Sequence, residues 1–164
     1  MTLGPTTVTY EPIGMAHSPF RETRGMPIQP TGAASAHGEV RIFPKYAAAL
    51  EGLEAFSHII LIYHFHRAGR AELTVVPFLD SEPHGVFCTR APARPNPIGL
   101  SVLRLCARNG NDLQVTGMDM LDGTPVLDIK PYVPEFDRCW PGRIGWYAKA
   151  KGRADSAQSD DRFR

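Results

Sequence analysis

A chain of 164 residues with a formal charge of +1, 43% apolar and 21% charged, suits one domain that buries its own core, and it excludes both wholesale disorder and a global nucleic-acid footprint. The first five residues, Met1-Thr2-Leu3-Gly4-Pro5, lack the basic and apolar regions of a signal peptide. The purest apolar run, 59–63, falls far short of the roughly 20 residues of a membrane span, so a cytoplasmic protein with no membrane partner is expected.

Residues 8–17 read as a first strand running into the turn Ser18-Pro19-Phe20. From 18 to 38 periodicity is lost under Pro19, Gly25, Pro27, Pro30 and Gly32, and a long loop, ordered or mobile, of the kind that is usually functional or disordered, is expected. Residues 38–43 alternate as a half-buried strand. Pro44 then opens a short helix over 46–53.

In 57–66, Ile59, Leu61, Tyr63 and Phe65 share one face while His58, Ile60, Ile62, His64 and His66 share the other, the pattern of a central strand. Strands follow at 72–79, 86–89 and 98–107. Asn109-Gly110-Asn111-Asp112 marks a hairpin to 113–118. A turn over 121–125 leads to a last strand at 126–129. The whole is mainly β, a small single-domain barrel with one or two short helices and long ordered loops. Residues 1–148 form that barrel domain, and 149–164 read as a disordered polar tail. The tail's excess of Lys149, Lys151, Arg153, Arg162 and Arg164 over its aspartates allows a weak RNA attraction, but solvation is favoured.

Between two strand-like runs lies 85–101, whose Pro92, Pro95 and Pro97 hold Arg90, Arg94 and Asn96 in one shape. Two guanidiniums and a carboxamide on a stiff loop suggest a binding or catalytic wall. His64 and His66 could ligate a metal, yet the further candidates Glu72 and His84 are poorly placed, so no metal is assigned. Phosphate-cradling glycine motifs are missing. Ser101 and Cys88 lack a nucleophile signature, and Cys88, Cys106 and Cys139 are expected to be free thiols, mostly buried.

Four strings close the reading: Ile-Gly-Met-Ala-His-Ser-Pro-Phe at 13–20, Leu-Glu-Gly-Leu-Glu-Ala-Phe-Ser-His at 50–58, Arg-Pro-Asn-Pro-Ile-Gly at 94–99 and Asp-Gly-Thr-Pro-Val-Leu-Asp-Ile-Lys-Pro-Tyr at 122–132. In that order they resemble the TrmO (TsaA-like, YaeB-like) family. The resemblance implies a homodimeric barrel that binds S-adenosyl-L-methionine and methylates N6 of threonylcarbamoyl-adenosine beside a tRNA anticodon, with no DNA partner. It places Pro27, Ile28, Gln29, His66, Arg67, Arg90, Leu100, Leu121, Asp122, Gly123 and Thr124 along the cofactor. Arg90 would hold a carboxylate, Asn96 or His66 would orient the amine, and backbone groups near Leu100 and 122–124 would read the adenine. Ile28 stands where many relatives carry arginine, and longer relatives add a C-terminal domain that engages tRNA. The alternatives are a different small acceptor and a non-catalytic sensor.

Overall fold

The computed structural model describes residues 7–163, so the expectation about Met1 to Pro5 and the terminal Arg164 lie outside the described residues. Strands β1 (Gly14–His17), β2 (His37–Ile42), β3 (His58–His64), β6 (Ile98–Asn109), β7 (Asp112–Thr116) and β8 (Thr124–Pro131) close into a barrel in the order β1-β2-β7-β6-β3-β8, every pair antiparallel. Strands β4 (Thr74–Val75) and β5 (His84–Gly85) form a small separate sheet. Helix α1 (Pro134–Asp137) is one turn long.

The core follows from period-2 alternation. Ile59, Leu61 and Tyr63 of β3 point inward, as do Leu103 and Leu105 of β6, Leu113 and Val115 of β7, and Val40 and Ile42 of β2. Strand β3 is central as its two-sided apolar pattern predicts, paired with β6 along 58–64 and with β8 on its other side. Gly110, at φ +62°, turns the β6–β7 hairpin.

Several sequence expectations change. The first strand shortens to Gly14–His17, and the strand expected at 72–79 to Thr74–Val75, where Pro77 has no N–H to continue a ladder. Residues 46–53 are not an α-helix: 3-10 turns cover Pro44–Leu50 and Leu53–Ala55, divided by Gly52 at φ +81°. Another 3-10 turn, Val86–Cys88, replaces the strand expected at 86–89. All three cysteines are free but exposed rather than buried. Cys106 directly follows the inward-pointing Leu105 on β6, so plain alternation turns it outward.

The largest correction concerns 149–163, expected to be a disordered tail. These residues fold back on the molecule and bury Ala150 and Ala154. Ser159 exchanges backbone bonds with the 25–26 segment, Gly25 N to Ser159 O at 2.9 Å and Ser159 N to Met26 O at 2.8 Å. Arg162 donates to the Pro77 carbonyl at 2.7 Å, and Phe163 meets Phe78 edge-on at 5.1 Å. Composition misled because alanine, glycine and serine, which resemble disorder in a list, are small enough to bring two backbones together.

Candidate functional site

One end of the barrel opens into a broad cleft of about 1210 Å³. Four groups of residues build it. The 23–31 loop supplies Met26, Pro27, Ile28 and Gln29, and the end of β3 with the residues after it supplies Tyr63, Phe65, His66 and Arg67. The proline loop and the start of β6 bring Arg90, Arg94, Asn96, Leu100 and Ser101. The turn before β8 gives Asp119, Met120, Leu121 and Thr124, and the C-terminal segment closes the rim with Trp146, Asp160 and Phe163.

The proline loop is held from within. Thr89 Oγ1 donates to the Val86 carbonyl at 2.9 Å and accepts from the Ala91 N–H, while Arg94 turns back to the carbonyls of Thr89 and Ala91 at 3.1 and 3.2 Å. Arg94 is therefore partly a structural clamp, and Arg90 is the loop's outstretched guanidinium. Its Nη1 donates to Gln29 Oε1 at 2.7 Å, which ties the proline loop to the 23–31 loop. Gln29 Nε2 in turn donates to the Ile28 carbonyl at 2.7 Å.

On the opposite wall Thr124 Oγ1 donates to the Leu121 carbonyl at 2.7 Å and lies 3.4 Å from His66 Nδ1. Burial holds the His66 imidazole below its usual pKa, and the neighbouring Arg67 and His64 add to that. Arg67 donates to the Arg21 carbonyl at 2.8 Å. Trp146 closes the rim: its indole donates to the Cys88 carbonyl at 2.8 Å and stacks on His84 at 5.2 Å.

Of the residues singled out from sequence, Pro27, Ile28, Gln29, His66, Arg67, Arg90, Asn96, Leu100, Leu121 and Thr124 all line this cleft. Asp122 and Gly123 stand outside the lining. Asp122 Oδ1 accepts from the Ser18 N–H at 3.2 Å and lies 3.3 Å from His17 Nδ1, so it braces the turn from behind. The histidines weighed for a metal do not assemble one: His84 pairs with Asp80 at 2.9 Å, and no group of three ligating side chains occurs among the described residues.

Sequence reasoning missed Asp119, and it weighed Ser101 only as a nucleophile. Ser101 Oγ donates to Asp119 Oδ1 at 2.6 Å and meets the Tyr63 hydroxyl at 3.0 Å. Burial pushes the Asp119 carboxyl up to about 6, against the lowering pull of the Ser101 bond, its own backbone and Arg90. Burial likewise raises the Tyr63 phenol. The available signal was a serine at an inward position of a strand otherwise filled by Gly99, Leu103 and Leu105.

Such a cleft has apolar walls, a guanidinium reaching in from the proline loop, and a carboxylate that accepts from a serine hydroxyl. Residues 15–138 match the model of the tRNA-methyltransferase O N-terminal domain. A probable S-adenosyl-L-methionine-binding protein of Pyrococcus abyssi is 54% identical, the match covering 97% of this chain and 86% of that protein. A tRNA (adenine(37)-N6)-methyltransferase of Escherichia coli is 39% identical over 92% of this chain and 68% of its own length. The crystal structure of TrmO from Pseudomonas aeruginosa superposes with a TM-score of 0.72 at 43% identity, covering 86% of this chain and 63% of the solved one.

Proposed function

We propose, from the premise that this chain belongs to the tRNA-methyltransferase O N-terminal domain family, that it transfers a methyl group from S-adenosyl-L-methionine to N6 of threonylcarbamoyl-adenosine beside a tRNA anticodon. What supports the reading most is convergence. Pro27 to Gln29, His66, Arg67, Arg90, Leu100, Leu121 and Thr124 come from segments far apart in the chain, and they line one cleft.

The residues present fit that ligand. An adenosyl group needs apolar walls, which Leu100, Met120 and Leu121 offer, and nearby backbone groups to read its edge, which the lining residues Leu121 and Thr124 can present. A methionyl carboxylate needs a fixed cation. Arg90 provides it, because one arm rests on Gln29 and the remaining donors of the fork are free to form charge-assisted bonds. The sulfonium methyl is supplied already activated, so the protein's main task is to align an acceptor with it. Asn96 and His66 are the neutral groups suited to orienting the acceptor amine, and the arginines at the rim, Arg67 and Arg94, suit an RNA phosphate.

The proposal extends to a homodimer working in the cytoplasm, on the strength of the family resemblance. Among the described residues no helix is long and apolar enough to cross a membrane.

The decisive experiment incubates the protein with radiolabelled S-adenosyl-L-methionine and tRNA from a strain lacking N6-methylated threonylcarbamoyl-adenosine, then identifies nucleosides by mass spectrometry. Label in that nucleoside is the expected result. Cofactor binding by calorimetry without any transfer would replace the enzyme by a sensor.

A further inference from the structure

Ligand binding leaves three polar side chains of the cleft without a task. Interiors of small barrels are filled by apolar groups, and a buried hydroxyl or carboxylate costs free energy unless it is bonded. Strand β6 nevertheless turns Ser101, 1% exposed, into the interior, and β3 turns Tyr63, 3% exposed, beside it. The single proton of Ser101 is spent on the ionised Asp119, so Tyr63 donates to Ser101 in turn. The relay therefore ends on an acceptor, the Asp119 carboxylate, and all three residues line the cleft.

Other polar residues along the wall are permanently charged, neutral or already partnered. Arg90 is permanently protonated, and Asn96 is a neutral amide. Asp160 also lines the cleft, but both its oxygens are taken by Arg162 at 2.7 to 3.0 Å. His66 is held below its usual pKa and lies against Thr124. The groups that face Asp119 are Ser101 from β6, Tyr63 from β3 and Arg90 from the proline loop.

We propose that Asp119 is the base that takes the proton from the acceptor nitrogen during methyl transfer, with Ser101 and Tyr63 as positioning residues that fix its carboxylate. The inference rests on the methyltransferase reading above. The N6 nitrogen of a threonylcarbamoyl-adenosine carries one hydrogen, which must leave when a methyl group is added. The nitrogen lone pair forms the new N–C bond, the methyl–sulfur bond breaks with its electron pair left on sulfur, and the nitrogen's proton passes to Asp119. The resulting carboxylic acid then releases that proton to water. A carboxyl with a pKa of about 6 is ionised at neutral pH yet basic enough to accept the proton as it comes free.

The test compares the parent protein with Asp119→Asn, Ser101→Ala and Tyr63→Phe in single-turnover methyl transfer across pH, alongside calorimetric affinity for S-adenosyl-L-methionine and carbon NMR titration of the ligand-free protein. Circular dichroism confirms that each variant is folded. The parent rate should rise with pH through an inflection near the Asp119 value of about 6, which the NMR titration finds independently. Asp119→Asn should slow transfer by about 100-fold or more while affinity stays within about threefold. Ser101→Ala should move the inflection upward, because the lost bond was lowering that pKa.

A parent-like rate in Asp119→Asn overturns the proposal. So does a rate loss fully explained by weaker binding, which would make Asp119 a holder of the ligand's cation, or a carboxyl titrating in the ordinary aspartate range. Failure of the parent itself to transfer any methyl overturns the methyltransferase reading first, and the base with it.

Discussion

Gly99 illustrates how one missing side chain can set a site. It stands opposite Tyr63 in the β3–β6 register, and a Cβ there would collide with the Tyr63 ring and press on Phe65. The ring lies across the glycine, and its hydroxyl reaches Ser101 because of that. Gly99→Ala is expected to cost about 1–3 kcal/mol, the usual range for overpacking a filled core. Urea unfolding should show a lower midpoint at unchanged slope. At this scale the sequence was readable where covalent constraint singled residues out: three prolines isolate Arg90 and Asn96. Asp119 was hidden. A lone acid between Met118 and Met120 looks like any solvated turn until β6 and β3 bring Ser101 and Tyr63 to it. The cysteines failed because a free cysteine usually sits inside, whereas the alternation of β6 puts Cys106 on the outer face next to the inward Leu105.

Among the elements, the proline loop and the last fifteen described residues carry the site's shape. The loop was legible, because three closely spaced prolines limit the backbone to few conformations. The C-terminal segment was not, because its hold on the molecule comes from backbone bonds and small contacts rather than from a run of apolar residues. Gly25 and Met26 both donate N–H bonds to Ser159, at 2.9 and 3.0 Å. Removing residues 151–164 should leave the barrel folded but free these two amides. Hydrogen exchange is expected to speed up over 24–28 while β3 and β6 stay protected. An unchanged rate at Gly25 and Met26 would mean that the segment is not what orders the cleft's outer loop.

For the molecule as a whole, the barrel was legible because short alternating runs and hairpin turns allow few other ways to bury one face of each strand. The ring order of the strands was beyond sequence, since β1 meets β8 across more than a hundred residues. That ring has no unpaired strand, and the β4–β5 pair is too short to extend. The proposed homodimer is therefore expected to be joined by side chains instead of a shared sheet. Light scattering should report twice the 18.1 kDa chain mass, and it should stay doubled in a variant with proline substituted at Thr74. A drop to monomer on that substitution would mean that subunits join by strand addition after all.

Ring closure also fixes when the cleft can come into being during folding. Leu121 and Thr124 stand at the seam where β8 joins both β1 and β3, while His66 stands just past the end of β3. Non-local pairings of this kind form late, after the local β6–β7 hairpin has little left to gain. A partly closed chain thus has a hydrophobic core in the making but no pocket, and a bound ligand would act on the last step of assembly, slowing the opening of the whole ring rather than of any one loop.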